Sequence, residues 1–390
     1  MKNYDFIIAG GGGAGLGLAL ALLDSRFQHH SILIIDSDTK QKDDRTWCFW
    51  GDETTPFTSI ARYSWKKLTV RSESFQQNFD LAQDGEPGWK YWMVSGLDFY
   101  NHARHQFSKY PNVEFILGDV ERIESQQDQA TVWVNGEEYT GKWVFNSIIK
   151  PGEIKIDPQK QHDLKQHFLG WRIKIQEEFF DPKHMTLFDF ETLQKDSLRF
   201  FYILPFSKNE AMIEYTIFSA ALLTEAEYEE AMRIYIKNNL GIDNYSILFE
   251  ESGVIPMTDY PFQRKAGKRV MNIGTRGGLV KPSSGYAFKR MQRDAREIVS
   301  ALEQYDNPFK IRKSPGRYLF YDILLLQILF RQGDKMKNIF SKLFQKNPIM
   351  RVFRFLDEDA TIWEDISLIA SLPPLPFLQA LVRVYLMKKI

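Results

Sequence analysis

The chain holds a single cysteine, Cys48, in 390 residues. That excludes an intrachain disulfide and points to a reducing compartment. No charge of either sign is in excess, because 50 basic and 50 acidic side chains cancel. A global electrostatic attraction to nucleic acid is therefore excluded, although local patches remain open. No apolar run approaches the roughly 20 residues needed to span a bilayer. The longest, "ILLLQILF" at 323–330, stops far short. The opening "MKNYDFIIAG" reads as a strand and lacks the charged region and apolar core of a secretory signal, so a cytoplasmic chain is expected. No internal repeat, low-complexity segment or long Ser/Pro/Gly linker is present. The chain is long enough for two or three packed units, and these are expected to be interleaved.

What is abundant is aromatic surface, 14% of residues with 30 Phe. Aromatic side chains bring large apolar areas and faces that stabilise cations. Glycine is concentrated in two places. In "DFIIAGGGGAGLGLALALLDSRFQHHSILIIDSD" the apolar residues run together, become helix-spaced, and run together again, which predicts a βαβ unit. Gly10, Gly12 and Gly15 fall at its first turn as G-x-G-x-x-G. Glycines there permit a tight turn and close approach of a pyrophosphate to a helix N-terminus, where free N–H groups favour an anion. Asp36 ends the second strand, where an acid binds ribose hydroxyls. This pattern alone does not choose between NAD and FAD. The second cluster, "IGTRGGLVKPSSGYAFKRM" at 273–291, chooses FAD. Its glycines and serines precede a long helix, predicted to start near Ser284, and flavin enzymes return late in the chain to their first domain in this way. Gly274, Gly277, Gly278, Ser283, Ser284 and Gly285 are the candidate contacts. No metal site is assigned.

The rest of the chain reads as short strands at 62–82, a helix entered through Ser95 and Gly96, and strands at 112–148 with an Asn-Gly hairpin turn. Strands dominate 168–218, a helix runs from 225 to Gly241, and almost everything after 314 is helical. Within this, "NEAMIEYTIF" at 209–218 places Glu214 in an apolar strand. Alternation sets Met212, Glu214, Thr216 and Phe218 on one face and Ala211, Ile213, Tyr215 and Ile217 on the other. Either the carboxylate reaches water, or it is held in an apolar place where its proton is used.

At this point the chain resembles the lycopene cyclase family. The resemblance is carried by "GGGGAGLGLA", "DDRTWCFW" (43–50), "FLGWRI" (168–173), "FYILPFS" with "MIEYT" (212–216), "EESGVIPMT" (250–258), "IGTRGGLVKPSSGYAF" and "VFRFLDE" (352–358), in order along the whole chain. It implies a flavoprotein, active with reduced FAD and using NADPH or NADH as electron source. It also implies that the linear polyene lycopene, or a related polyene, is cyclised to β-rings without net redox change. It puts Glu214 at the family's catalytic position and makes Arg45 a further cofactor candidate. Glu251, in "EESGVIPMT", is a candidate for the final base or a structural hydrogen-bond partner. Trp47, Phe49, Trp50, Trp171 and Tyr286 lie in or beside the motifs as possible cation-facing rings. Two departures stand out. Thr275 follows Gly274 where flavoproteins often have Asp, and Tyr215 follows Glu214 where some cyclases have a second acid. The glycine motifs are equally compatible with an FAD-dependent monooxygenase or polyene reductase.

The expected fold is α/β: a Rossmann-like FAD domain from 1–60, 90–150 and 265–310, an interleaved strand-rich substrate domain from 61–89 and 151–264, and a helical region at 311–390. A hydrocarbon substrate calls for peripheral contact with a membrane. Residues 331–354 carry seven Lys/Arg and one Asp. There Ile339, Phe340, Leu343 and Phe344 form an apolar stripe flanked by Lys335, Lys337, Lys342 and Lys346, a pattern that suits an interfacial helix. The terminal "LVRVYLMKKI" is a second candidate contact.

Overall fold

The computed structural model describes residues 2–84, 87–312 and 314–387. The fold is α/β, as the sequence predicts, and is built on three sheets. The first has seven strands in the order β8 (Val113–Leu117), β2 (Ile32–Asp36), β1 (Lys2–Ala9), β11 (Glu137–Asn146), β10 (Ala130–Val134) and β9 (Val120–Ser125), with β17 (Val270–Asn272) beside the end of β11. Strands β8, β2, β1, β11 and β17 run parallel. Their near-continuous apolar runs follow from burial on both faces. Helix α1 (Gly13–Leu23) connects β1 to β2 and is buried almost all round. It packs with α2 (Gly96–Phe107) and α4 (Phe288–Tyr305) over one face of the sheet. Ser95 caps α2 by accepting from the Asp98 N–H at 3.1 Å, which explains why the helix starts there.

The second sheet also has seven strands: β16 (Ser246–Met257), β12 (Leu164–Lys174), β15 (Glu210–Ser219), β14 (Leu198–Ser207), β13 (His184–Asp189), β5 (Lys67–Ser72) and β6 (Phe75–Asp80). Residues 67–80 and 164–257 thus share one sheet, although the chain returns to the first between them. A small third sheet, β3 (Thr46–Gly51), β7 (Lys90–Ser95) and β4 (Tyr63–Trp65), joins the two. The alternation of β15 divides two cores. Ala211, Ile213, Tyr215 and Ile217 pack under α3 (Glu225–Asn238), while Met212 and Phe218 face the C-terminal helices.

Those helices are α5 (Gly316–Gln332), α6 (Met336–Lys346), α7 (Ile349–Leu356), α8 (Ile362–Ala370) and α9 (Pro374–Met387). Here one expectation is corrected. The stripe on α6 faces inward: Ile339, Leu343 and Phe344 are buried, and Phe340 packs on Phe188 and Phe190. Lys337 is paired with Glu73 at 2.8 Å. A helical stripe buries itself against any apolar face, and its spacing alone does not distinguish protein from lipid. Apolar surface is exposed instead on α8 and α9, where Trp363 is 77% exposed and Leu375 63%. Residues 388–390 of "LVRVYLMKKI" lie outside the described residues.

Candidate active site

The first glycine turn is built by close approach. Gly10 has φ +104°, and a Cβ there would lie 2.1 Å from Ser147 Oγ. A Cβ on Gly15 would lie 1.9 Å from the Gly10 carbonyl oxygen, so the helix rests directly on the turn. At Gly12, the residue before α1, a Cβ would meet nothing within 4 Å, and no side chain caps the helix. An anion therefore has room at a helix terminus with free N–H groups. Asp36 accepts from the Gly11 N–H at 2.5 Å and the Asp38 N–H at 2.8 Å, which sets its carboxylate against the turn.

The late loop returns to the same place. Gly274 has φ +60°, and a Cβ there would come within 2.9 Å of Ala14 Cβ, in the first turn of α1. Three of the loop's candidates serve the scaffold. Gly277 packs against Arg264 and Asn272, Gly278 packs against Phe262, and Ser283 donates to Asp322 at 2.6 Å. Helix α4 starts at Phe288, four residues past Ser284. A hydrogen-bonded turn at 281–286 accounts for the difference. The Lys281 N–H donates to the Tyr286 carbonyl, and the buried Lys281 ammonium is held by Asp322 at 3.0 Å and Glu358 at 3.1 Å. Both partners are remote in sequence. The helix terminus therefore lies beyond Tyr286 and not at Ser284. Ser284 and Gly285 do face the cavity described next, as do Arg45 and Thr275.

That cavity, of about 240 Å³, lies between β3, the late loop and the second sheet. Glu214 and Glu251 both line it. Gly170 on β12 is in register with Glu214 on one side and Glu251 on the other, and Tyr202 is in register with Glu214 beyond. The row Tyr202–Glu214–Gly170–Glu251 thus crosses four adjacent strands on one face. Two strand spacings set the carboxylate-bearing backbones about 10 Å apart. A Cβ on Gly170 would lie 3.2 Å from Met212 Sδ and 3.5 Å from Glu214 Cβ, so these side chains pack close over the glycine that separates the two acids.

Burial, and then the Glu251 charge, push the Glu214 carboxyl up from its ordinary 4.5 to about 8, against a hydrogen bond donated by Thr216 at 2.8 Å. Glu214 keeps some accessible surface, but that surface faces the cavity rather than bulk water. Glu251 is also raised by burial, but Thr46 opposes this by donating its N–H at 3.0 Å and its hydroxyl at 2.5 Å. Two donors favour the charged form of Glu251 and one favours that of Glu214. Both carboxyls are raised, and Glu214 is the better placed of the two to hold a proton.

Of the five aromatic candidates, Trp47 and Tyr286 line the cavity. The others do not. Trp50 stacks on Phe353 and donates to Asp357. Phe49 packs on Phe288 in the first core. Trp171 projects from the opposite face of β12 and donates to Glu250. Sequence reasoning missed Tyr91, Tyr202, Phe168 and Gln166, which line the cavity too. The Tyr286 hydroxyl lies near those of Tyr91 and Tyr202. Burial keeps all three phenols neutral, with Tyr286 pushed up to about 12. Only the pairing of Tyr202 with Glu214 across two strands would have revealed its place. Two buried polar atoms in this wall, Ser284 Oγ and Gln166 Oε1, have no hydrogen-bond partner among the described residues. Unmet, each costs about 1–3 kcal/mol. The open Gly12, the bare helix terminus, the abutting Gly274 and these two atoms fit an extended cofactor with a phosphate middle and a polar ring, as in FAD.

Other proteins share this fold. A p-nitrophenol 4-monooxygenase of Pseudomonas putida shares the fold at TM-score 0.58 and 15% identity, over 92% of this chain and 94% of that one. A geranylgeranyl bacteriochlorophyll reductase-like protein of Thermoplasma acidophilum does so at TM-score 0.61 and 13% identity, over 98% of this chain and 100% of that one. At such identities the likeness is one of fold. Among sequence relatives, the capsanthin/capsorubin synthase of Capsicum annuum is 36% identical over 204 residues, 49% of this chain and 40% of its own length. The lycopene beta cyclase of Narcissus pseudonarcissus is 34% identical over 106 residues, 27% and 21% respectively. The neoxanthin synthase of Solanum tuberosum is 28% identical over 49% of this chain, and the match spans 40% of that protein. The family described as lycopene cyclase protein matches residues 5–382. The chain belongs to the lycopene cyclase family.

Proposed function

We propose that the chain is a lycopene β-cyclase, which closes the ends of a linear polyene into β-rings by acid catalysis with reduced FAD bound. One observation carries this reading: a buried carboxyl raised to about 8 lies in register, across a glycine, with a second carboxylate. Glu214 protonates the terminal double bond. The resulting tertiary cation is attacked by the neighbouring double bond. Glu251 removes a ring proton, and both carboxyls exchange their protons with water before the next turnover. Atoms and electrons balance, so the product is an isomer. Trp47 and Tyr286 present ring faces to the cation, each worth about 0.5–2 kcal/mol when desolvated. Gly10, Gly12, Gly15 and Asp36 would hold the dinucleotide, with Arg45, Gly274, Ser284 and Gly285 toward its ring. Bound in reduced form, FAD supplies negative charge beside the cation, and NADPH or NADH keeps it reduced. The cavity is smaller than most ligand sites, so one polyene end enters at a time.

The test is an anaerobic incubation of lycopene, FAD and NADPH in deuterated water. The expected product contains one new deuterium per ring and is otherwise of unchanged mass. Oxygen consumption, or NADPH consumption stoichiometric with product, would instead support the monooxygenase or reductase reading.

We also place the chain peripherally on a membrane, through α8 and α9. Among the described residues no single helix is long and apolar enough to cross one, and these two are bent at 112° to each other. Leu375, Leu378, Val382 and Tyr385 are all exposed and share one helical face. Burying one such side chain is worth about 1.5–3 kcal/mol. Trp363→Glu and Leu378→Glu should therefore each weaken liposome binding at least about tenfold, and binding should persist in salt. Charge reversal at Lys342 and Lys346 should change little. Unchanged cosedimentation of the chain carrying both Trp363→Glu and Leu378→Glu would refute this face.

A further inference from the structure

The partnerless Gln166 Oε1 and Ser284 Oγ belong to different elements of the cavity wall. Gln166 belongs to β12 of the second sheet, in register with Phe218 and Ile255. Ser284 belongs to the late loop of the first domain. They converge at Gly285, where a Cβ would lie 2.1 Å from Gln166 Oε1. Gly285 has φ +72°, so the turn itself calls for glycine. The absent side chain also lets the amide approach the loop backbone. A hydrocarbon end has no group to pair with a buried amide or hydroxyl. A flavin ring has a polar edge of carbonyl acceptors and an N–H donor. An amide offers both donor and acceptor, and a hydroxyl likewise, so the two side chains complement such an edge.

We infer that Gln166 and Ser284 pair with the polar edge of the FAD ring, so that the second sheet binds the cofactor together with the first domain. This rests on the FAD reading above. Gln166, Phe168 and Gly170 lie on one face of β12, and Gln166 stands about 13 Å along the strand from Gly170. A single strand would then fix the ring's position relative to the Glu214–Gly170–Glu251 row. Ring and acid would be positioned by one rigid element rather than across a domain boundary.

The experiment is FAD titration of the apoprotein, followed by flavin fluorescence, with the reduction potential measured on the loaded protein. Gln166→Leu and Ser284→Ala should each weaken FAD binding about 2- to 10-fold, the loss of one hydrogen bond. Gln166→Glu should lower the reduction potential, because its carboxylate opposes charge on the reduced ring. A merely structural glutamine would not move the potential in that direction. If wild-type protein binds FAD while all three variants keep its affinity and potential and melt at its temperature, the pairing is overturned and the FAD reading stands. If wild-type protein binds no FAD, both fall. Should Gln166→Leu fail to fold, Ser284→Ala and Gln166→Glu decide the matter.

Discussion

Glu214→Gln should lower cyclisation turnover by about 10²- to 10⁴-fold, the usual contribution of a positioned proton donor. FAD affinity should be unchanged, because the side chain keeps its shape and its hydrogen bond from Thr216. The pH dependence identifies the cause. Wild-type activity requires the protonated carboxyl and should fall as pH rises through about 8, and residual activity of the variant should lack that limb. Stability gives a second readout. Between 4.5 and about 8 the folded chain holds a proton that the unfolded chain releases. Stability therefore falls as pH rises through that window. Glutamine has no such proton, so the variant should melt above wild type at pH 8 and converge with it below about pH 4.5. A variant that turns over at the wild-type rate removes Glu214 from the mechanism. Equal melting temperatures at both pH values would show that its carboxyl is not raised.

The sequence carried this acid further than it carried its surroundings. Glu214 stood out because a strand of Met, Ile, Tyr and Phe leaves a carboxylate no ordinary place, and the glycine turn was legible because its constraints are local. Gly10, Gly12, Gly15 and Asp36 all lie within one βαβ unit, where spacing in sequence maps onto spacing in space. The row Tyr202–Glu214–Gly170–Glu251 was not legible, because it depends on which strands are neighbours and on a register fixed by long-range pairing. The same limit explains Ser283 and Lys281. Both read as loop residues before a helix, but Asp322 and Glu358 draw them onto the C-terminal helices. The amphipathic stripe of α6 failed for the opposite reason. Its pattern was correct, and Phe188, Phe190 and Phe79 cover the face assigned to lipid.

Glu251→Gln separates the two roles its sequence left open, final base or structural partner. Its carboxylate touches Thr46 at both oxygens and lines the cavity, so geometry alone permits both. As the base, its loss should lower turnover by about 10²-fold or more, and activity on the acid side should no longer fall with protonation of a second group. Its charge is also the second cause of the raised Glu214 carboxyl. Removing that charge lowers the Glu214 pKa, so the alkaline limb of kcat/KM should move to lower pH. Limbs of such a pair belong to both groups together, and the variant should leave a single one. A purely structural Glu251 predicts something else: a lower melting temperature, a moderate loss in turnover, and two limbs still present. A profile that keeps two limbs would therefore assign proton removal to another group, while a single limb shifted downward fixes Glu214 as the acid and Glu251 as the base that faces it across Gly170.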